Sequence, residues 1–367
     1  MGGGAGRKIC AATFAFKVMD KSEMRLDPLR LSWTIFSPAR LSRPQFLSRK
    51  KSNEATSIGG AGIGSATAFS PFTPGNEHLA PHELFSTKTN DDRWQVRVVP
   101  NRAPALRVEG DVNCHPDGFY DRMDGVGAHE VIIETPGRQP FENLSLPEIS
   151  EVVSAWKFRM LDLMRDQRMR AFFIVKDVGE AAGAHPSSGA HAVSQLIGMA
   201  VVPQTLLQKL DVSRDFFERK KRSIFEDIWR EEIRTGTRLV YENNGFAAFC
   251  PYASRTPFEL AIYPKRQCAD FHGLSDQEIA QLADALKTTL RKLARALNFP
   301  PYHLMLFTAP TRTNRRDHWN TLDADFRWHI EIMPRLFFTS GFETGTGCFL
   351  NTVLPETAAE YLRKIEV

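Results

Sequence analysis

Long apolar runs are missing from this chain of 367 residues. No hydrophobic stretch approaches the roughly 20 residues that a helix needs to cross a bilayer, which argues against a membrane-spanning protein. The composition is 42% hydrophobic and 25% charged, which is typical of a globular protein with one large or two ordinary domains. We therefore expect a soluble protein that has no membrane partner.

Cysteine is scarce and scattered, the five residues being Cys10, Cys114, Cys250, Cys268 and Cys348. Their number is odd and no two of them form a Cys-x-x-Cys pair, so the sequence encodes neither a disulfide framework nor a cysteine zinc site. A reducing cytoplasm is the compartment that this cysteine usage predicts.

Basic charge is concentrated near the start of the chain. Residues 1–53 carry eleven Lys or Arg against three Asp or Glu, although the whole chain has a net charge of only +4. Because this segment carries no nucleic-acid-binding motif, no polynucleotide partner is expected. Arg40 and Arg43 are candidates for an anion site, the alternative being a solvated basic arm. Residues 1–22 lack a convincing cleavage site and are predicted to be a disordered extension.

Two stretches of the chain repeat one pattern of a strand, a capped amphipathic helix, a second strand and a third strand with a nearby histidine. The capping boxes are Ser145 with Glu148 and Ser275 with Glu278. Apolar residues recur at intervals of three and four after each box, which predicts helices. The predicted strands are 130–136, 171–177, 259–265, 303–310 and 326–334. The two similar stretches indicate an internal duplication.

This arrangement predicts an α+β fold, in which two tandem repeats form a shared antiparallel sheet flanked by helices, with a cleft at the centre. We place the first repeat at 23–204 and the second at 205–367.

Several blocks spread along residues 23–364 resemble the galactose-1-phosphate uridylyltransferase family, a two-repeat member of the histidine-triad nucleotide-binding fold. The blocks include EMRLDPLRLSWTIFSPARLSRP, SPFTPGNE, WQVRVVPNRAPAL, GAHEVIIETP, SQLIGMAVVP, RWHIEIMPRL and GFETGTG. The resemblance implies that both repeats are histidine-triad-like.

The resemblance also implies a nucleotidyltransferase reaction. A nucleoside monophosphate moves from a nucleotide sugar such as UDP-glucose onto a histidine, and then onto a hexose 1-phosphate. The implied partners are a nucleotide sugar and a sugar phosphate, with a possible homodimer. The implied substrate contacts are Arg40 and Arg43 to phosphates, Asn101 to the nucleotide, Gln195 to the phosphate, and Glu343 and Asn351 to sugar hydroxyls.

The nucleophile position departs from the family pattern, which reads His-x-His-x-Gln with the second histidine attacking phosphorus. Counting back from Gln195, this chain has Val193 at that position and His191 at the earlier histidine. Because side chains two apart on a strand share a face, His191 is the better candidate for a displaced nucleophile, with His185 as the other. Because valine cannot attack phosphorus, we expect nucleotidyl transfer to be impaired. The alternative is that His191 is structural and the protein is a non-catalytic nucleotide-sugar binder.

Zinc is typical of the family, but its ligand positions are replaced here. The replacements in the first repeat are Ser70, Thr73 and Arg138, none of which suits zinc as thiolate or imidazole does. In the second repeat they are Gln267, Phe307 and Arg327, and His329 is expected to be a satisfied strand histidine. We therefore predict no metal cofactor. Related phosphorolysis or hydrolysis of a dinucleotide or sugar nucleotide is a third hypothesis, to which no residue points specifically.

Overall fold

The computed structural model of this chain describes residues 22–38, 40, 70–184, 191–312 and 320–367. The strands are β1 Glu23–Leu26, β2 Trp33–Phe36, β3 Phe85–Lys88, β4 Trp94–Pro100, β5 His115–Asp117, β6 Tyr120–Arg122, β7 Gly127–Ile133, β8 Ala171–Val178, β9 Val193–Met199, β10 Leu239–Glu242, β11 Phe246–Phe249, β12 Leu260–Pro264, β13 Tyr302–Phe307, β14 His329–Pro334 and β15 Phe349–Asn351. The helices are α1 Leu146–Leu163, α2 Gln204–Lys220, α3 Ile224–Thr235, α4 Asp276–Leu297, α5 Leu322–Asp325, α6 Gly341–Thr346 and α7 Pro355–Arg363.

One ten-stranded sheet runs through both repeats in the order β10-β11-β12-β14-β13-β8-β9-β7-β4-β3. Every neighbouring pair in it is antiparallel. The repeats meet where β8 of the first pairs with β13 of the second. The predicted α+β fold with a shared antiparallel sheet is therefore confirmed.

The two helices that open with the predicted capping boxes lie side by side on one face of this sheet. Both boxes form: Ser145 caps α1 and Ser275 caps α4, each with a reciprocal glutamate bond. Lys157 of α1 donates to the carbonyl of Leu274 at 2.6 Å, and Lys287 of α4 donates to the carbonyl of Leu144 at 2.6 Å. Each lysine lies twelve residues beyond the N-cap serine of its own helix, so the internal duplication extends to matched contacts.

The main core lies between this face and α1, α4 and α7. Side chains from both repeats share it, including Trp156, Leu196, Leu286 and Ile330. A second core lies on the opposite face, here called the far face, where Phe173 and Phe307 pack against Leu206 of α2. None of the described helices is long and apolar enough to span a membrane.

The strand bounds differ from the predicted ones at two places that matter for the site. The predicted histidine strand of the first repeat begins only at Val193, so His191 precedes β9 and the face-sharing rule for a strand does not apply to it. In the second repeat β14 begins at His329 rather than 326. Ser22 is described, but the rest of the predicted N-terminal extension 1–22 lies outside the described residues, as do Arg43 and His185.

Candidate active site

Three polar side chains meet on the far face at β7 and β9. The ring of His129 lies with its Nε2 2.7 Å from Oε1 of Gln195 and 3.0 Å from Nδ2 of Asn101. Strand alternation explains the placement: Leu196 enters the main core and Ser194 accepts a hydrogen bond from Trp156, so Gln195 faces the other way. The structure thus brings two predicted site residues, Asn101 and Gln195, to one histidine.

The hydrogen bonds assign the tautomer of His129. Its Nδ1 accepts the backbone N–H of Ala105 at 3.0 Å, so a neutral ring carries its proton on Nε2 and donates to Gln195. In this tautomer the amide nitrogen of Asn101 is a close neighbour of Nε2 and not its hydrogen-bond partner. The NH2 group of Gln195 then has no hydrogen-bond partner among the described residues, and the side chain is only partly buried. A free amide donor on an accessible strand face can bind a phosphate oxygen.

Sequence reasoning missed His129, although it lies inside the quoted block GAHEVIIETP. A signal was present, since His129 has the same parity as Val131, and Val131 pairs with Gln195. Using that signal required the pairing of β7 with β9, which the sequence pattern did not give.

His191 lies two residues before β9 and has no described contact with the trio of Asn101, His129 and Gln195. It is 6% exposed, its Nε2 is 3.3 Å from Oγ1 of Thr73, and Phe72 lies edge-on to the ring. Burial lowers the pKa of His191, the backbone at Gly137 opposes the shift, and the charge of Arg138 adds to it. A buried neutral imidazole packed on a threonine is poorly placed to meet a substrate.

The replaced zinc positions of the first repeat come together around His191. Ser70 and Thr73 occupy one turn, where the N–H of Thr73 donates to the carbonyl of Ser70 at 3.1 Å, and Arg138 acts electrostatically on the ring. A zinc ion here would meet one imidazole, two neutral hydroxyls and a nearby cation, so the residues do not fit it. Across the described residues, no three His, Cys, Asp or Glu side chains are grouped to hold a metal.

The replaced positions of the second repeat also converge. Arg327 is fully buried, with Nε donating to Gln267 at 3.1 Å and the guanidinium paired with Glu226. Phe307 stacks on His329 at 5.2 Å between ring centres, and His329 is itself fully buried. The chain's own side chains fill this place, and His329 has the satisfied strand environment that the sequence predicted.

Lys209 of α2 joins His329 and Glu331 in a buried polar cluster. Its Nζ lies 2.8 Å from Nε2 of His329 and 2.6 Å from Oε1 of Glu331, and Arg255 bonds the other oxygen of Glu331 at 2.6 Å. Burial lowers the pKa of Lys209 to about 8, opposed by the charge of Glu331. The pKa of Glu331 lies well below its usual range because the two cations outweigh the cost of burial. His329 and Glu331 lie in the quoted block RWHIEIMPRL, whereas no sequence motif marked Lys209 or Arg255, which lie far from it in the chain.

A cavity of about 570 Å³ opens beside this cluster and is lined in part by Asp27, Lys209, Tyr263 and Glu331. Neither Gln195 nor His129 is among the described residues that line it. This cavity therefore does not identify the site around Gln195.

The remaining predicted contacts lie on or next to a separate sheet. Strands β1, β2 and β15 form it, with β15 parallel to β2. Asn351 is 1% exposed, and its amide donates to the carbonyl of Ser254. The carboxylate of Glu343 caps α6 and also accepts the N–H of Leu350 at 3.1 Å. Arg40 follows β2, its N–H donating to the carbonyl of Ser37 at 3.0 Å. No described contact joins these three residues to the trio of Asn101, His129 and Gln195.

The chain is similar in sequence to known proteins. Residues 209–367 match the family described as galactose-1-phosphate uridyl transferase, C-terminal domain. The chain is 31% identical to ADP-glucose phosphorylase of Arabidopsis thaliana over 349 residues, covering 94% of this chain and 93% of that protein. It is 27% identical to galactose-1-phosphate uridylyltransferase of Thermotoga maritima over 354 residues, covering 94% and 99%.

The solved structures agree. The crystal structure of an Arabidopsis thaliana ADP-glucose phosphorylase with bound ADP-glucose superposes with a TM-score of 0.78 and 29% identity, covering 95% of this chain and all of that one. The similarity extends over both repeats and the shared sheet. The chain belongs to the galactose-1-phosphate uridylyltransferase family of the histidine-triad superfamily.

Proposed function

We propose that the protein binds a nucleoside diphosphate hexose on the far face at β7 to β9, and transfers its nucleoside monophosphate to a phosphate-bearing acceptor. The observation that carries the proposal is the trio of Asn101, His129 and Gln195, which presents a free amide donor on an accessible face. Family membership supports nucleotidyl transfer as the reaction class.

ADP-glucose is the first substrate to test. The relative with 31% identity is an ADP-glucose phosphorylase, whereas UDP-glucose was the substrate implied by the family's name. With ADP-glucose the acceptor would be inorganic phosphate, and with UDP-glucose it would be galactose 1-phosphate. Both acceptors present the same attacking group, a phosphate oxygen.

A second function, binding without catalysis, is favoured by one specific observation. Val193 occupies the family's nucleophile position, and its aliphatic side chain cannot attack phosphorus. His191, the nearest histidine in sequence, is buried against Thr73.

Calorimetry and a product assay separate these functions. Each nucleotide sugar is titrated into the protein, and hexose 1-phosphate release is then measured with inorganic phosphate or galactose 1-phosphate present. We expect binding of at least one nucleotide sugar together with acceptor-dependent release. Binding without release would establish the binder, and no binding of either nucleotide sugar would overturn both functions.

We further propose that Arg40, Glu343 and Asn351 contribute to the sugar side of the site in a homodimer. Their sheet exposes Met24 and Trp33, which are 55% and 46% accessible and offer apolar area for a second copy.

Cys114, Cys250, Cys268 and Cys348 are all free thiols, which suits action in the cytoplasm.

A further inference from the structure

A second imidazole occupies the far face at the seam between the repeats. His303 of β13 lies directly opposite Asp177 of β8, and its Nδ1 is 2.6 Å from Oδ1 of the aspartate. The side chains are 32% and 23% exposed. Within the described part of the chain, Nε2 of His303 forms no hydrogen bond. One ring nitrogen is therefore held by a carboxylate while the other is available to a ligand.

The sheet register places this pair beside the missing nucleophile. Val175 pairs with Gln195 across β8 and β9, so the next residue on the same face, Asp177, comes opposite Val193. Asp177 in turn pairs with His303. Val193, Asp177 and His303 thus form one row across three strands, with roughly 10 Å between the backbones of Val193 and His303.

The chain segments next to this row, at the end of β8 and the start of β13, pack closely together. Gly179, one residue beyond β8, has φ +82°, and a Cβ built there would lie 3.0 Å from Pro301, the residue before β13. On the opposite face, Tyr302 and Leu304 are buried in the main core, which fixes the direction of His303. The imidazole of His303 therefore lies on the face that carries Gln195.

The chemistry of the pair differs from that of a surface ion pair. When Nδ1–H donates to Asp177, the neutral ring keeps its electron pair on Nε2, and the carboxylate stabilises positive charge that develops on the ring. A bare carboxylate in this row would repel a diphosphate. The hydrogen bond from the ring weakens that repulsion, although the pair keeps one negative charge.

We propose that His303, oriented by Asp177, is the nucleophilic imidazole of this chain, a role that rests on the proposed nucleotidyl transfer. Nε2 attacks the α-phosphorus of the nucleotide sugar, forming an N–P bond. The P–O bond to the sugar phosphate breaks, and hexose 1-phosphate leaves with that electron pair. A phosphate oxygen of the acceptor then attacks the same phosphorus, and the N–P electrons return to Nε2. Asp177 holds the Nδ1 proton throughout.

Isotope exchange tests the covalent step without a second acceptor. Labelled glucose 1-phosphate is incubated with ADP-glucose or with UDP-glucose, and label entering the nucleotide sugar is counted. We expect His303→Gln to lower exchange by at least about 1,000-fold, while nucleotide-sugar affinity changes less than about threefold. Peptide mapping of the quenched wild-type protein should locate one nucleoside monophosphate on His303.

Asp177→Asn tests the positioning role. It removes the charge but leaves a hydrogen-bonding group, so exchange should fall by about 100-fold or more with the adduct still on His303. His115→Gln, on the β5–β6 hairpin, is the matched control and should exchange at the wild-type rate. Melting temperatures measured for all variants separate lost chemistry from lost folding.

The outcomes that overturn the proposal are distinct. An adduct on His191, or exchange that survives in folded His303→Gln, assigns the chemistry elsewhere. Wild-type protein that binds nucleotide sugar but shows neither exchange nor adduct rejects the nucleophile and retains the binding function. Failure of all nucleotide sugars to bind rejects the proposed function and this role together.

Discussion

The amide of Gln195 is divided between two tasks. Its oxygen accepts the Nε2 proton of His129 at 2.7 Å, which leaves its NH2 group free to donate. We expect Gln195→Ala to raise the dissociation constant of the bound nucleotide sugar about tenfold, because one hydrogen bond to a charged group is lost. Calorimetry measures this change. Gln139→Ala, in an exposed loop, should leave the affinity unchanged, and equal affinities for wild type and Gln195→Ala would remove the amide from the site.

His329 makes stability depend on pH. Burial, aided by the nearby charge of Lys209, lowers the pKa of His329 from 6.5 to about 4. The unfolded chain takes up a proton near pH 6.5 and the folded chain does not, so stability is full above 6.5 and falls as the pH drops to 4. The loss amounts to about 3 kcal/mol.

The variant His329→Asn isolates this contribution. We expect it to be less stable than wild type at pH 7 because packing against Phe307 is lost, but to lose less stability between pH 6.5 and 4. Chemical denaturation at a series of pH values gives the difference curve. His115→Gln should keep the wild-type slope, and parallel curves for His329→Asn and wild type would contradict the assigned pKa.

At the scale of elements, the helix caps carry measurable stability. Ser145 and Ser275 each accept the N–H of the residue three positions on, and each has a glutamate that bonds back. We expect Ser145→Ala and Ser275→Ala each to lower the free energy of unfolding by roughly 1 kcal/mol. Aspartate at the same positions can still accept that bond, so Ser145→Asp and Ser275→Asp should lose less. Denaturant titrations decide, and an unchanged midpoint in the alanine variants would count against the caps.

Sequence predicted these helices well because their signals are local. Capping residues and apolar spacing are read within one turn or two, and α4 ends at Asn298, which adopts the left-handed conformation. The strand near His191 was harder. Its apolar alternation is weak before Val193, and the true start of β9 depends on pairing with β7 and β8. The inferred placement of His191 on a strand failed for that reason.

The same limit explains how much of the site could be predicted from the sequence. Gln195 and Asn101 were found through family blocks, and the structure brings both to His129. The pair of His303 and Asp177 is separated by 126 positions, and neither belongs to a motif. Only the β8–β13 register joins them, and no local pattern encodes a register between repeats.

At the scale of the whole molecule, the two repeats share one core and one sheet, whereas independent domains would each have their own. Their helices α1 and α4 lie in one core, and each helix sends a lysine to the start of the other. Cutting the chain between repeats would expose the β8 and β13 edges, with unpaired N–H and carbonyl groups, as well as the apolar faces of both helices. The repeats are therefore expected to fold as one unit.

We predict that fragments 23–204 and 205–367 do not unfold cooperatively when expressed separately, and that they assemble when expressed together. Circular dichroism melting and size-exclusion chromatography provide the measurements. The control is the full chain with a protease site inserted between β9 and α2; after cleavage it should elute as one species and melt in one transition. Pairing of β8 with β13 and the shared core supply the partner surfaces that each fragment lacks. A first-repeat fragment that melts cooperatively near the melting temperature of the full chain would show that each repeat is self-sufficient.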